Sequence, residues 1–134
     1  MNKNVISWLF QVVAALIMLQ TLYFKFTAHP QSVKLFTQLE LEPWGRIGIG
    51  VMELIASILI LIPRLRIFGA LLGLGLMAGA IFFHLTSLGI IFDGDAGLFT
   101  LATITFVACG LVLWLNKEQI FNFINLLLKT NIAK

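Results

Sequence analysis

The sequence predicts an all-α fold: an integral membrane four-helix antiparallel bundle, with a short amphipathic helix in the first loop and a C-terminal interfacial helix. Three observations predict it. Of 134 residues, 60% are hydrophobic and only 11% are charged, against about 25% charged in an ordinary soluble domain. The mean hydropathy is +1.01. The apolar residues also fall into four runs near the roughly 20 residues that cross a hydrocarbon core, at about 5–24, 45–62, 67–92 and 96–115. A single domain over 1–134 accommodates all four.

The run 5–24 follows Lys3, as a signal peptide would, but it is too long for such an apolar segment and no A-x-A site follows. It reads as a retained span. Residues 25–43 form the long polar connection, in which Pro30 biases His29 away from helix. Val33, Phe36 and Leu39 then recur at helical spacing, as in a short amphipathic helix lying at the membrane surface. Pro63, Arg64, Leu65 and Arg66 make a tight turn, so the second and third spans are antiparallel neighbours. The third span carries Gly69 with Gly73 on one face and Gly75 with Gly79 on another. Both pairs read as close helix packing. Asp93-Gly94-Asp95 turns the chain into the fourth span, and 118–129 is apolar but too short to cross, so it reads as an interfacial tail.

Charge and cysteine content exclude several functions. The net charge of +3 is scattered among apolar runs rather than gathered in a patch, so no nucleic-acid partner is expected. Cys109 is the only cysteine, which excludes an intrachain disulfide, a CxxC pair and a cysteine-based zinc site. It lies in an apolar run and reads as packing. No metal-ligand set and no catalytic residue are read from the chain. Membrane lipid is the expected surroundings.

Four spans put both termini on one side. That side holds Lys3, Arg64, Arg66, Lys117, Lys129 and Lys134, while the other holds Lys25, Lys34 and Arg46 with four acidic residues. The excess predicts cytoplasmic termini and an inner-membrane location. Trp8 and Trp114 then fall at the inner interface and Trp44 at the outer.

Within the second span, Arg46, Gly50, Glu53 and Ser57 share a helix face. A carboxylate inside a span costs about 2.5–3.5 kcal/mol on insertion scales, so Glu53 needs a partner. At 1.5 Å per residue Glu53 lies about 13 Å below the outer interface and His84 about 12 Å. Thr103 lies about 10 Å and Gln20 about 7 Å down, with Lys25 just above Gln20. All four spans thus contribute polar groups to the outer half, whereas the inner half holds little beyond Gln11 and Ser57. The expected partner of Glu53 is His84, with Arg46 a turn or two above as a second. The cluster Arg46, Glu53, His84, Gln20, Lys25 and Thr103 is either a packing network or a site for a ligand or a proton. Tyr23, Phe24, Phe26, Phe82, Phe83 and Phe99 crowd the same level, mostly as interface belt and core. The alternative is that some of them line an apolar pocket suited to a quinone-like or lipid-like molecule.

The runs KFTAHPQSVKLFTQL, EPWGRIGIGVMELIASILILIPR and GALLGLGLMAGAIFFHL resemble the DoxX family of small bacterial membrane proteins. The likeness covers residues 23–89 with ordered motifs, carried by Trp44, Arg46, Gly50, Glu53 and Leu54, then Pro63-Arg64, then Gly79-Ala80 and His84. It implies a four-helix membrane bundle and an association with quinone- and thiol-linked redox complexes. Relatives in the wider superfamily are assembly factors. With one cysteine and no haem or flavin motif, a redox role needs a bound quinone or a catalytic partner subunit. Two readings follow: a redox-complex subunit that binds an apolar ligand in its outer half, or a non-enzymatic assembly protein acting through helix faces, with a protein partner or a homo-oligomer in either case. A transporter is less favoured, because no inverted repeat is present.

Overall fold

A computed structural model describes residues 2–132; Lys134, counted above among the basic residues, lies outside them. The described residues are helical apart from short connections and one isolated bridge, Phe92 to Asp95. The helices are α1 (Lys3–Phe26), α2 (Pro30–Gln38), α3 (Trp44–Leu61), α4 (Arg66–Phe83, continued by a π-helical turn, His84–Leu88), α5 (Gly97–Leu115) and α6 (Lys117–Ile132). Four of them, α1, α3, α4 with its π turn, and α5, are long and apolar enough to cross a bilayer.

Local chemistry sets the ends. Asn2 accepts the Asn4 N–H at 3.0 Å and starts α1. Pro30 occupies the first turn of α2, where its missing N–H costs nothing. Pro63 stops α3. Asp95 accepts the Gly97 N–H at 2.9 Å where α5 begins. The third span ends earlier than its hydropathy suggests. Gly89 takes φ +82°, a left-handed conformation that breaks the helix, so the apolar Ile90, Ile91 and Phe92 belong to the connection. At the other end of α1 the correction runs the opposite way: the helix continues to Phe26, so Lys25 stands in its last turn and not in the polar connection.

Helices α1 and α4 each pack against both α3 and α5. Between them lies a core that includes Ala14, Met18, Ala56, Ile60, Ala70, Cys109 and Val112. Small residues let the helices approach. A Cβ on Gly69 would collide with the backbone of Ile60, and one on Gly73 would lie 2.9 Å from the Cys109 sulfur. Gly75 and Gly79 behave differently. Nothing lies within 4 Å of where their Cβ atoms would stand, so this pair does not seat a helix.

The half of the molecule nearest the termini holds more polar structure than Gln11 and Ser57 alone. The Ser7 hydroxyl donates to Gln11 Oε1 at 2.8 Å, and Gln11 Nε2 donates to the Ile60 carbonyl at 2.7 Å. Asn116 Nδ2 donates to Ser7 Oγ at 2.8 Å and to the Val112 carbonyl at 2.7 Å. All three side chains are buried. The network ties α1 to carbonyls in the last turns of α3 and α5: that of Ile60 is one the helix leaves unbonded, and that of Val112 also accepts the Asn116 N–H at 3.1 Å. Gln119, early in α6, donates to the Pro63 and Arg64 carbonyls and accepts from Arg66 Nε at 3.0 Å. Phe123 meets Phe68 edge-to-face, but no residue of α6 is buried.

The two glycine pairs should therefore respond oppositely. Gly69→Leu overpacks the α3–α4 contact and is expected to destabilise by about 1–3 kcal/mol. Gly75→Ala adds a methyl into open space and should gain up to about 1 kcal/mol of helix propensity. Thermal unfolding in detergent, followed by circular dichroism, measures both.

Candidate functional site

The space beside Gly75 and Gly79 is a cavity of about 410 Å³ on the α2 side of the helices. That is within the range of about 300–1,000 Å³ usual for small-molecule sites. α1, α3, α4 and α5 form its walls, and α2 lies over it with Ser32, Leu35, Phe36 and Leu39 turned inward. These positions follow the i, i+3, i+4, i+7 spacing of one helix face. The opposite side of α2, with Lys34, Thr37 and Gln38, is exposed. Lys34 meets Asp93 at 2.6 Å and Gln38 Nε2 donates to the Ser87 carbonyl at 3.1 Å. These contacts tie α2 to the connection between α4 and α5.

Glu53 reaches the cavity from the middle of α3, with a relative exposure of 3%. Its partner is Lys25, whose Nζ lies 3.1 Å from Oε2. The Lys25 side chain, 14% exposed, turns from the last turn of α1 into the cavity wall. The Thr21 hydroxyl, one turn below Lys25, shares its single proton between the Met18 carbonyl at 3.0 Å and Glu53 Oε2 at 3.3 Å. The carboxylate therefore has a charge partner and a hydrogen-bond donor, as a charge removed from water requires.

The expected Glu53–His84 pair is not formed. His84 begins the π turn and its Nδ1 lies 2.9 Å from the Gly89 carbonyl oxygen. The ring is used to close its own turn, and it also meets Phe99 edge-on at 5.9 Å. His84 and Glu53 nevertheless line the same cavity. Arg46 is not a second partner of Glu53 either. Its Nε donates to both oxygens of Glu42 at 2.9 Å, and its Nη1 donates to the Lys25 carbonyl. A guanidinium at a helix C-terminus satisfies carbonyls that the helix cannot, so Arg46 acts on the backbone of α1 and leaves Glu53 to the Lys25 amine.

The remaining expected residues divide. Gln20 lines the cavity from an exposed position on α1. Thr103 does not line it. Its hydroxyl donates to the Phe99 carbonyl at 2.9 Å, and the residue faces a separate groove with Leu9, Phe10 and Val13 of α1. Depth counting put Thr103 at the right level, but Leu98, Leu101 and Ala102 carry the cavity face of α5. Of the aromatics, Phe24 and Phe83 line the cavity, while Tyr23, Phe26 and Phe82 are largely exposed.

Sequence reasoning missed Thr21, the covering face of α2, and Gly75 with Gly79 as cavity lining. The i, i+4 spacing of Thr21 and Lys25 was the available signal. Among the described residues, no group of three histidine, cysteine or acidic side chains is arranged to hold a metal ion.

Four spanning helices around an apolar cavity with an internal ion pair define a multi-pass membrane protein in contact with lipid. The chain belongs to the DoxX-like family, whose family model matches residues 9–111. Comparison with curated proteins gives no match, and neither does comparison with solved structures.

The ion pair gives a double-mutant test. Lys25→Met leaves Glu53 without its charge partner in an apolar wall and is expected to destabilise by about 3–5 kcal/mol. Lys25→Met/Glu53→Leu removes both charges and should recover most of the loss, as read by thermal unfolding of the single and double variants.

Proposed function

We propose that the chain is a DoxX-like inner-membrane protein that binds an apolar ligand in the outer half of an antiparallel four-helix bundle, as a subunit of a quinone- or thiol-linked redox complex. The observation that carries this reading is the cavity itself: largely apolar walls that include Phe24 and Phe83, with Lys25, Glu53 and His84 reaching it from three different helices. An apolar tail fits such walls, and the polar groups suit a head group that exchanges hydrogen bonds or protons. A quinone is the ligand class that the family's redox association suggests. The chain's own thiol is not part of this chemistry, because Cys109 is buried in the core. Electrons would pass through the ligand and a partner subunit.

In this reading the domain spans 1–134, α2 is an amphipathic helix at the outer surface, and α6 is interfacial at the cytoplasmic face with both termini. The apolar side chains that α6 leaves exposed, Phe121, Leu126 and Leu128 among them, support its contact with lipid. They also favour the second reading, an assembly protein whose helices hold a partner or another copy of the chain. Gly75 and Gly79 do not add to that reading, because they line the cavity.

Extraction of the purified protein followed by mass spectrometry of the extract tests the first reading. A near-stoichiometric apolar molecule is expected from the wild type and not from Gly79→Leu, which fills the cavity. An empty wild type counts against it, and a single dominant crosslinked partner in native membranes would then favour assembly. Orientation has its own test in a Cys109→Ala background. A membrane-impermeant maleimide applied to spheroplasts should label Lys34→Cys and leave Lys117→Cys unlabelled until the cells are lysed.

A further inference from the structure

The hydrogen-bond inventory of the cavity specifies its ligand more closely. Glu53 Oε2 pairs with the Lys25 amine and accepts from Thr21, whereas Oε1 takes no hydrogen bond from any described residue. At His84, a carbonyl oxygen only accepts, so Nδ1 carries the proton it shares with Gly89. With Nδ1 as the donor, a neutral imidazole has its acceptor lone pair on Nε2, and no described residue donates to it. Among the described residues, every side-chain nitrogen or oxygen sealed from open space has a partner. Glu53 Oε1 and His84 Nε2 have none, so each touches open space, and the open space that both residues line is the cavity. Both residues are themselves more than nine-tenths buried. Lys25 has N–H groups beyond the one directed at Glu53.

The cavity thus presents two unfilled acceptors and a donor. Its titratable lining residues are Lys25, His29, Glu53, His84 and Asp95. Lys25 is already neutralised by Glu53, and Asp95 leaves any excess charge negative. We infer that the site selects an amphiphile with a neutral, hydroxyl-bearing head, whose O–H donates to Glu53 Oε1 or His84 Nε2 while its oxygen accepts from Lys25. A keto or ether head satisfies Lys25 alone and leaves both acceptors without a donor, so of a quinone and its reduced quinol the site favours the hydroxyl-bearing quinol. A carboxylate head brings a second anion beside Glu53. This rests on the cavity being a ligand site, as proposed above, and adds the polarity of the head group.

Three probes with one chain length separate the possibilities: dodecanol, dodecyl methyl ether and dodecanoate, each added to the full-length protein in phosphatidylcholine nanodiscs. The readout is the bilayer fraction of each probe that gives half of its maximal rise in Tm. Wild type should respond to dodecanol at about one-tenth the fraction needed for the ether, the ratio that one net hydrogen bond supplies. Dodecanoate should be weaker than dodecanol. Removing both acceptors together with the donor, in Lys25→Met/Glu53→Leu/His84→Phe, should reduce the alcohol-to-ether preference to less than about threefold, a selectivity change that loss of stability alone does not produce. Gly79→Leu should abolish the response to all three. Equal response to alcohol and ether, or a preference for dodecanoate, overturns the head-group inference and leaves the cavity reading standing if Gly79→Leu still abolishes binding. No response of the wild type to any probe overturns both.

Discussion

A hydrocarbon solvent offers a carboxylate nothing to bond with, and the placement of Glu53 midway along α3 therefore constrains much of the structure around it. Lys25 must turn inward from the last turn of α1, and Thr21 must lie one turn below it. With the Lys25 side chain so engaged, its backbone carbonyl at the end of α1 is bonded by Arg46. Arg46 in turn is held by Glu42, just ahead of α3. One buried charge thus organises the junction between the end of α1 and the start of α3 through a short chain of charge-assisted contacts. The same requirement acts at the opposite end of these helices without charge, where Ser7, Gln11 and Asn116 satisfy one another and bond carbonyls at two helix ends.

Between these two polar layers the helices are packed closely, and this is what gives the cavity its lower boundary. Gly69 and Gly73 draw α4 against α3, Met18 and Cys109, so the middle of the molecule is closed. Two turns further along α4, Gly75 and Gly79 have the same side-chain size but face no backbone. A small residue permits close approach only if a neighbouring helix is there to approach; otherwise it leaves volume. α2 closes that volume from above through Leu35 and Phe36, and its ties to Asp93 and Ser87 hold it across the helix ends.

The site joins an ion pair that stabilises the protein to acceptors that the protein does not fill. In the proposed reading Lys25 and Glu53 serve both purposes, since each has hydrogen-bonding capacity beyond the contact between them. Family membership fixes the class of protein, and the chemistry of the cavity carries the functional reading.

The sequence by itself determined the all-helical class, the four apolar spans, the short helix before α3 and the membrane setting. These depend on run length, composition and the local action of proline and glycine, which a linear reading contains. It also singled out Glu53 and His84 as lying at one depth, because rise per residue is fixed in a helix. Only the tertiary structure decided which groups meet. Depth does not specify azimuth, so Thr103 fell on the wrong face of α5 and His84 was assigned a partner that its own turn displaces. Lys25 was judged to lie in a loop because hydropathy falls at the first charge, whereas the helix continues past it and the long side chain turns back into the apolar wall. The glycine pairs are indistinguishable as letters. Their difference, contact in one case and cavity in the other, exists only once neighbouring helices are in place.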